Sequence, residues 1–85
     1  MSMEDVLVNV LRRVIIPMFP RLSDVAVRTM GLGDLYYITF YINDRIDYQD
    51  AFLIDKEVSS VFKMIFPSKG ADYTLNYKRH ENYED

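Results

Sequence analysis

The sequence predicts a small two-layer α+β domain in which two amphipathic helices cover one face of an antiparallel sheet. Three observations predict this class. Apolar residues recur at helical spacing near the N-terminus, β-branched and aromatic residues fill residues 35–54, and residues 73–78 alternate between apolar and polar. The predicted order is α-β-β-β-α-β. We expect residues 1–79 to form a single domain and residues 80–85 to be a frayed polar tail.

The first helix is predicted to begin at residue 3 and to end near residue 16. Its apolar stripe comprises Met3, Val6, Leu7, Val10, Leu11, Val14, Ile15 and Met18. These positions follow the i, i+3, i+4, i+7 spacing of an amphipathic helix. Ser2 is the expected N-cap, with Asp5 at the acidic position of a capping box. Pro17 disfavours helical geometry at the preceding residue and should end the helix.

The buried side of this helix is expected to include Leu7, Leu11 and Val14. Val8 and Ile16 lie beside the main stripe. They are apolar residues that the core stripe does not require, so they are candidate contacts with a partner protein.

A short strand is predicted at residues 25–30, and the glycines of Gly31-Leu32-Gly33 favour a hairpin turn after it. Residues 35–54 are then predicted to form a second, central β-hairpin. A three-residue loop at 43–45 places Phe40 opposite Tyr48 on one apolar face, whereas a two-residue loop mixes apolar and polar residues. We therefore expect the longer loop.

The second helix is predicted to begin at Asp55 as its N-cap and to end before Pro67. Its apolar stripe would be Val58, Val61, Phe62 and Ile65. A last, half-buried strand is indicated by Tyr73, Leu75 and Tyr77, which alternate with polar residues.

Composition restricts the classes of function. The 85 residues contain 13 acidic and 10 basic side chains, and the net charge of −3 belongs to residues 46–85. This acidity disfavours non-specific binding to nucleic acid or to an anionic membrane. Cysteine is absent, which removes disulfides, thiolate metal ligands and cysteine nucleophiles. A small domain without disulfides is typical of the cell interior, so we expect the cytoplasm, or the host cytoplasm if the source is a virus.

Catalytic and ligand motifs are scarce. Gly31-Leu32-Gly33 lacks a third glycine and precedes a strand, whereas a phosphate loop precedes a helix. His80, the single histidine, falls in the polar tail. Five carboxylates crowd one region: Asp44, Asp47, Asp50, Asp55 and Glu57. An EF-hand loop starting at Asp44 would need glycine at its sixth position, where Gln49 stands. We predict no catalytic residue, no cofactor and no metal site.

The second face of the central strand carries Tyr37, Thr39 and Tyr41, with Leu53 expected on the neighbouring strand. An exposed tyrosine-rich patch is typical of a protein interface or a dimer contact. Sheets that bind RNA also expose aromatic rings, but they carry a basic, glycine-containing motif that residues 35–42 lack.

The sequence therefore favours a small protein-binding module without enzymatic activity, such as a regulator, inhibitor or accessory subunit, including one from a virus or mobile element. Its partner would be another protein or a second copy of itself. The acid and tyrosine of the C-terminal half suit a basic partner surface. The alternative is a single-stranded nucleic-acid-binding protein that uses the sheet tyrosines and the arginines of the N-terminal half. A hydrolase or isomerase built on the carboxylates is a weaker third possibility.

Overall fold

The computed structural model describes residues 2–31, 35–67 and 70–79. These residues form two α-helices, a short 3-10 turn at Ile16–Met18 and a three-stranded sheet. The elements are α1 (Met3–Val14), β1 (Leu22–Met30), β2 (Leu35–Ile42), α2 (Tyr48–Ile65) and β3 (Asp72–Arg79).

Helix α1 begins as its sequence predicts. The Ser2 hydroxyl accepts a hydrogen bond from the backbone N–H of Asp5 at 3.2 Å, which satisfies a donor that the helix itself leaves unpaired. Leu7 and Leu11 are fully buried as expected, but Val14 is 41% exposed, so that part of the prediction is wrong. Ile15 is buried instead, because the core side of α1 follows i, i+4 spacing and leaves Val14 on the flank.

Residues 46–54 do not form a strand, so the predicted central hairpin and its pairing of Phe40 with Tyr48 are wrong. Helix α2 already begins at Tyr48, with Asp47 as its N-cap. The Asp47 carboxylate accepts a hydrogen bond from the N–H of Asp50 at 2.8 Å. Asp55 therefore lies within the helix rather than at its start.

Strand β2 is central in the sheet. It pairs antiparallel with β1. Gly31, the first residue of the predicted turn, has a φ of +63°, and residues 32–34 lie outside the described residues. Strand β2 pairs parallel with β3, so the sheet is mixed rather than antiparallel as predicted. The parallel orientation of β3 follows from the presence of α2, because a helical crossover brings the chain back in the same direction as the strand before it.

One hydrophobic core lies between the helices and the sheet. The strand register aligns Val27, Ile38 and Leu75 on the face that the core occupies. Leu11 of α1 and Val58 of α2 are fully buried in the same cluster. The predicted two-layer α+β domain with its helices on one face is therefore confirmed, with the order α-β-β-α-β, one strand fewer than expected.

Candidate functional site: the open face of the sheet

The face of the sheet that the helices leave uncovered is the candidate functional site. We call it the open face, and it comprises Ala26, Arg28, Tyr37, Thr39, Tyr41, Thr74, Asn76 and Lys78. All but Thr74 line a shallow depression with a cavity volume of about 310 Å³. These residues share a face because side chains alternate along each strand and paired residues point the same way.

Strand register sets the order of groups across the open face. Tyr37 lies between Arg28 of β1 and Thr74 of β3, and its ring side chain is 41% exposed. Four residues further along β2, Tyr41 lies beside Lys78. Tyr37 thus lies beside the Arg28 guanidinium, and Tyr41 lies between Asp24 and Lys78.

The open face carries two basic residues, Arg28 and Lys78. The register also places two acidic residues at the ends of this face, Asp24 beside Tyr41 and Asp72 beside Leu35. Neither Arg28 nor Lys78 forms a salt bridge with any residue that the structure describes. Other arginines of the N-terminal half are engaged elsewhere. Arg12 binds the Asp24 carboxylate at 3.0 Å, and Arg21 lies 3.4 Å from the Asp50 carboxylate. The tyrosines of the open face therefore lie next to basic side chains that are unpaired among the described residues, as well as next to acidic ones.

Tyr37, Thr39 and Tyr41 lie together on the open face, as the sequence predicts. Leu53 does not join them, because it belongs to α2, where it is 40% exposed. Val8 and Ile16 are half-buried and pack against the core. Their role at an interface stays a prediction.

Sequence reasoning missed Arg28, Asn76 and Lys78 as members of this site. The alternation of residues 73–78 was visible, and it places Asn76 and Lys78 on the face opposite to Tyr77. What the sequence did not show is that β3 lies next to β2, since the predicted strand at 46–54 occupied that position. The sequence would have had to reveal the order of the strands in the sheet for these residues to be placed in the site.

A groove with a cavity volume of about 660 Å³ lies on the other side of the molecule. It is lined by Ile42, Arg45, Ile46, Asp47, Tyr48, Ala51, Tyr77 and Arg79. It opens where β2 and β3 end and α2 begins. The buried Tyr77 hydroxyl has no hydrogen-bond partner among the described residues, and burial raises the pKa of Tyr77 to about 12.

Tyr73, on the same strand and the same face, is differently placed. Its hydroxyl donates a hydrogen bond to the Asp55 carboxylate at 2.9 Å. Burial, helped by this contact with Asp55, raises the pKa of Tyr73 to about 12. Both phenols therefore stay protonated at neutral pH.

The crowded carboxylates have separate structural partners: Asp47 caps α2, Asp50 meets Arg21, and Asp55 accepts from Tyr73. Within residues 2–31, 35–67 and 70–79, no three acidic, histidine or cysteine side chains converge as metal ligands. His80 and Gly33, considered in the sequence, lie outside the described residues. In the same part of the chain, neither α1 nor α2 has the length and apolar character needed to cross a membrane.

Comparison with solved structures finds a similar fold in the MamB CTD magnetosome protein of Desulfamplus magnetovallimortis BW-1. The TM-score is 0.57 and the sequence identity 24%, over 95% of this chain and 94% of that chain. At this identity the similarity establishes a shared fold. No protein-family model matches the chain, and no curated protein matches its sequence.

Proposed function

We propose that this chain is a protein-binding module without catalytic activity and that the open face is its interface. The carrying observation is that the helices cover the other side of the sheet and leave Tyr37, Thr39 and Tyr41 uncovered. Tyrosine gives large contact area at low entropic cost. The fold similarity to the MamB CTD magnetosome protein supports this proposal at the level of the fold alone.

The charge of the open face defines the partner. Arg28 and Lys78 lie about 16 Å apart, across two strand spacings and four residues along the strands, on diagonally opposite sides of the tyrosines. We infer that the partner is a protein that places acidic side chains against Arg28 and Lys78.

The test is affinity capture with the wild-type chain and two variants, read by mass spectrometry and followed by titration of the purified partner. Tyr41→Glu puts a negative charge on the open face beside Lys78 and should weaken binding by at least roughly tenfold. Arg13→Ala, on the exposed side of α1, is the matched control and should bind like the wild type. Equal binding by Tyr41→Glu would place the interface elsewhere.

The alternative, binding of single-stranded nucleic acid, is favoured by one observation: Arg28 and Lys78 flank the exposed rings. Base stacking on aromatic rings with nearby cations is a known mode of single-strand binding. The acidic chain opposes it, and we expect no affinity tighter than ~10⁻⁵ M near physiological salt. Salt-sensitive binding of a single-stranded RNA at sub-micromolar protein, lost in Tyr41→Glu, would make nucleic-acid binding the favoured function and protein binding the alternative.

A further inference from the structure

The two edge strands of the sheet differ in the hydrogen bonds that their outer edges make. On the outer edge of β1, the Glu4 carboxylate accepts hydrogen bonds from the Thr29 backbone N–H at 2.7 Å and from its hydroxyl at 2.9 Å. This contact occupies a backbone donor that would otherwise be open to pairing. The outer edge of β3 has no such contact from any described residue. Unpaired strand edges readily accept another strand.

We propose that β3 pairs antiparallel with β3 of a second copy across a two-fold axis at Leu75, so that the two sheets become one continuous sheet. The proposal shares Lys78 with the open face but does not require that this face bind a partner protein. In this register Asp72 lies opposite the partner's Lys78, and two-fold symmetry makes that charge pair twice. Tyr73 lies opposite the partner's Tyr77 on the core side. Opposite charges and aromatic pairs are stabilising cross-strand neighbours.

The register follows from the alternation of side chains. A two-fold axis perpendicular to the sheet keeps both cores on one side, so residues of the same face must oppose each other. Moving the axis one residue, to Asn76, places Thr74 opposite the partner's Lys78 and removes both charge pairs. Opposite charges on β3 therefore face each other when the axis passes through Leu75, and they do not when it passes through Asn76.

A flank of α2 adds apolar surface beside this edge. Tyr48 is 95% exposed and Phe52 is 67% exposed. At 100° per residue they lie on the same side of α2 as Asp55, and Asp55 is hydrogen-bonded to Tyr73 of β3. The two rings thus border the free edge of β3.

Pairing of the two β3 strands brings the α2 helices of both copies together. The ring of Phe62 lies 5.8 Å from that of Tyr36 on β2 and 4.8 Å from that of Tyr73 on β3, so α2 lies above these two strands. With strands spaced by about 4.8 Å, the paired helices would lie roughly 10 Å apart, which is the distance of packed helices. Exposed Phe52 would then be covered.

The experiment is sedimentation equilibrium of the full chain up to about 200 μM, with dimer dissociation as the readout. We expect the wild type to dimerise. D72K and K78D each oppose like charges at two places and should weaken the dimer by roughly tenfold or more. The double variant D72K/K78D restores opposite charges and should recover the wild-type dimer. Phe52→Ser, at an exposed position, should also weaken it.

Arg28→Glu on the open face is the matched control and should dimerise like the wild type while losing its acidic partner. Circular dichroism of each variant checks that the fold is retained. A monomeric wild type at the highest concentration overturns the proposal. So does a dimer that the single charge variants leave unchanged, or one that the double variant does not rescue. Failure of partner capture with an intact dimer would refute the proposed function alone.

Discussion

At the scale of single residues, Tyr73 and Tyr77 show how similar positions on one strand acquire different roles. Both rings are half-buried on the core side of β3. Tyr73 reaches Asp55, whereas the Tyr77 hydroxyl is buried without a hydrogen-bond partner among the described residues. Removal of a buried polar group that lacks a partner costs little stability, whereas removal of a hydrogen-bonded one does cost stability.

These tyrosines predict alkaline destabilisation. Their pKa values rise from 10.0 to about 12 in the folded chain. Above pH 10 the unfolded chain loses these protons while the folded chain keeps them, so the free energy of unfolding falls as pH rises toward 12. Urea unfolding at several pH values, with tyrosinate absorbance at 295 nm, measures both effects.

Tyr73→Phe and Tyr77→Phe should each flatten this pH dependence. Tyr73→Phe should also lower stability at neutral pH, and Tyr77→Phe, the matched control, should be neutral or slightly stabilising there. Unchanged stability up to pH 12 in the wild type would contradict the raised pKa values.

At the scale of elements, the start of α2 is the main difference between expectation and structure. Asp47 and Asp50 repeat the spacing of Ser2 and Asp5 at the start of α1, and both pairs form the same cap. Ile54, Val58, Val61 and Phe62 are buried at helical spacing. The aromatic residues at 48 and 52 have high β-propensity, yet on α2 they face outward. Periodicity and capping decided the element, and propensity did not.

The cap gives a direct test of this boundary. Asp47→Ala removes the acceptor of the Asp50 N–H and should lower the free energy of unfolding by about 0.5–2 kcal/mol. Asp44→Ala is the matched control three residues earlier, before α2 begins, and should cost less. Chemical denaturation compares the two. Equal midpoints would mean that α2 does not depend on this cap.

At the scale of the whole molecule, a single core joins all elements. Leu11 of α1, Phe40 of β2 and Val58 of α2 are each fully buried in one cluster. Glu4 of α1 is also hydrogen-bonded to Thr29 of β1. Because the described residues share one core, unfolding should be a single cooperative transition.

Leu11→Ala tests this cooperativity. The substitution should cost about 2–5 kcal/mol, the range for a buried leucine. Circular dichroism, which reports the helices, and tyrosine fluorescence, which reports mainly the sheet because five of the seven tyrosines lie on β2 and β3, should shift together. If the helix signal melts first while the sheet signal stays, α1 is not part of the common core.

The sequence by itself determined the α+β class, α1 with its cap and the position of β2. It also placed Tyr37, Thr39 and Tyr41 on a face that the core does not use. Each of these depends on local regularities: helical spacing, a capping pair, and alternation along a strand. Such signals need only a few neighbouring residues.

The tertiary structure decided what depends on distant neighbours. Residues 46–54 combine β-prone side chains with the Asp47 cap, and the burial of Ile54 in the common core favours the helix. Once α2 occupies those residues, β3 takes the place beside β2 in parallel orientation. That pairing brings Lys78 to the tyrosines that Arg28 already borders. The charge of the candidate site thus comes from residues 50 positions apart, which no local pattern connects.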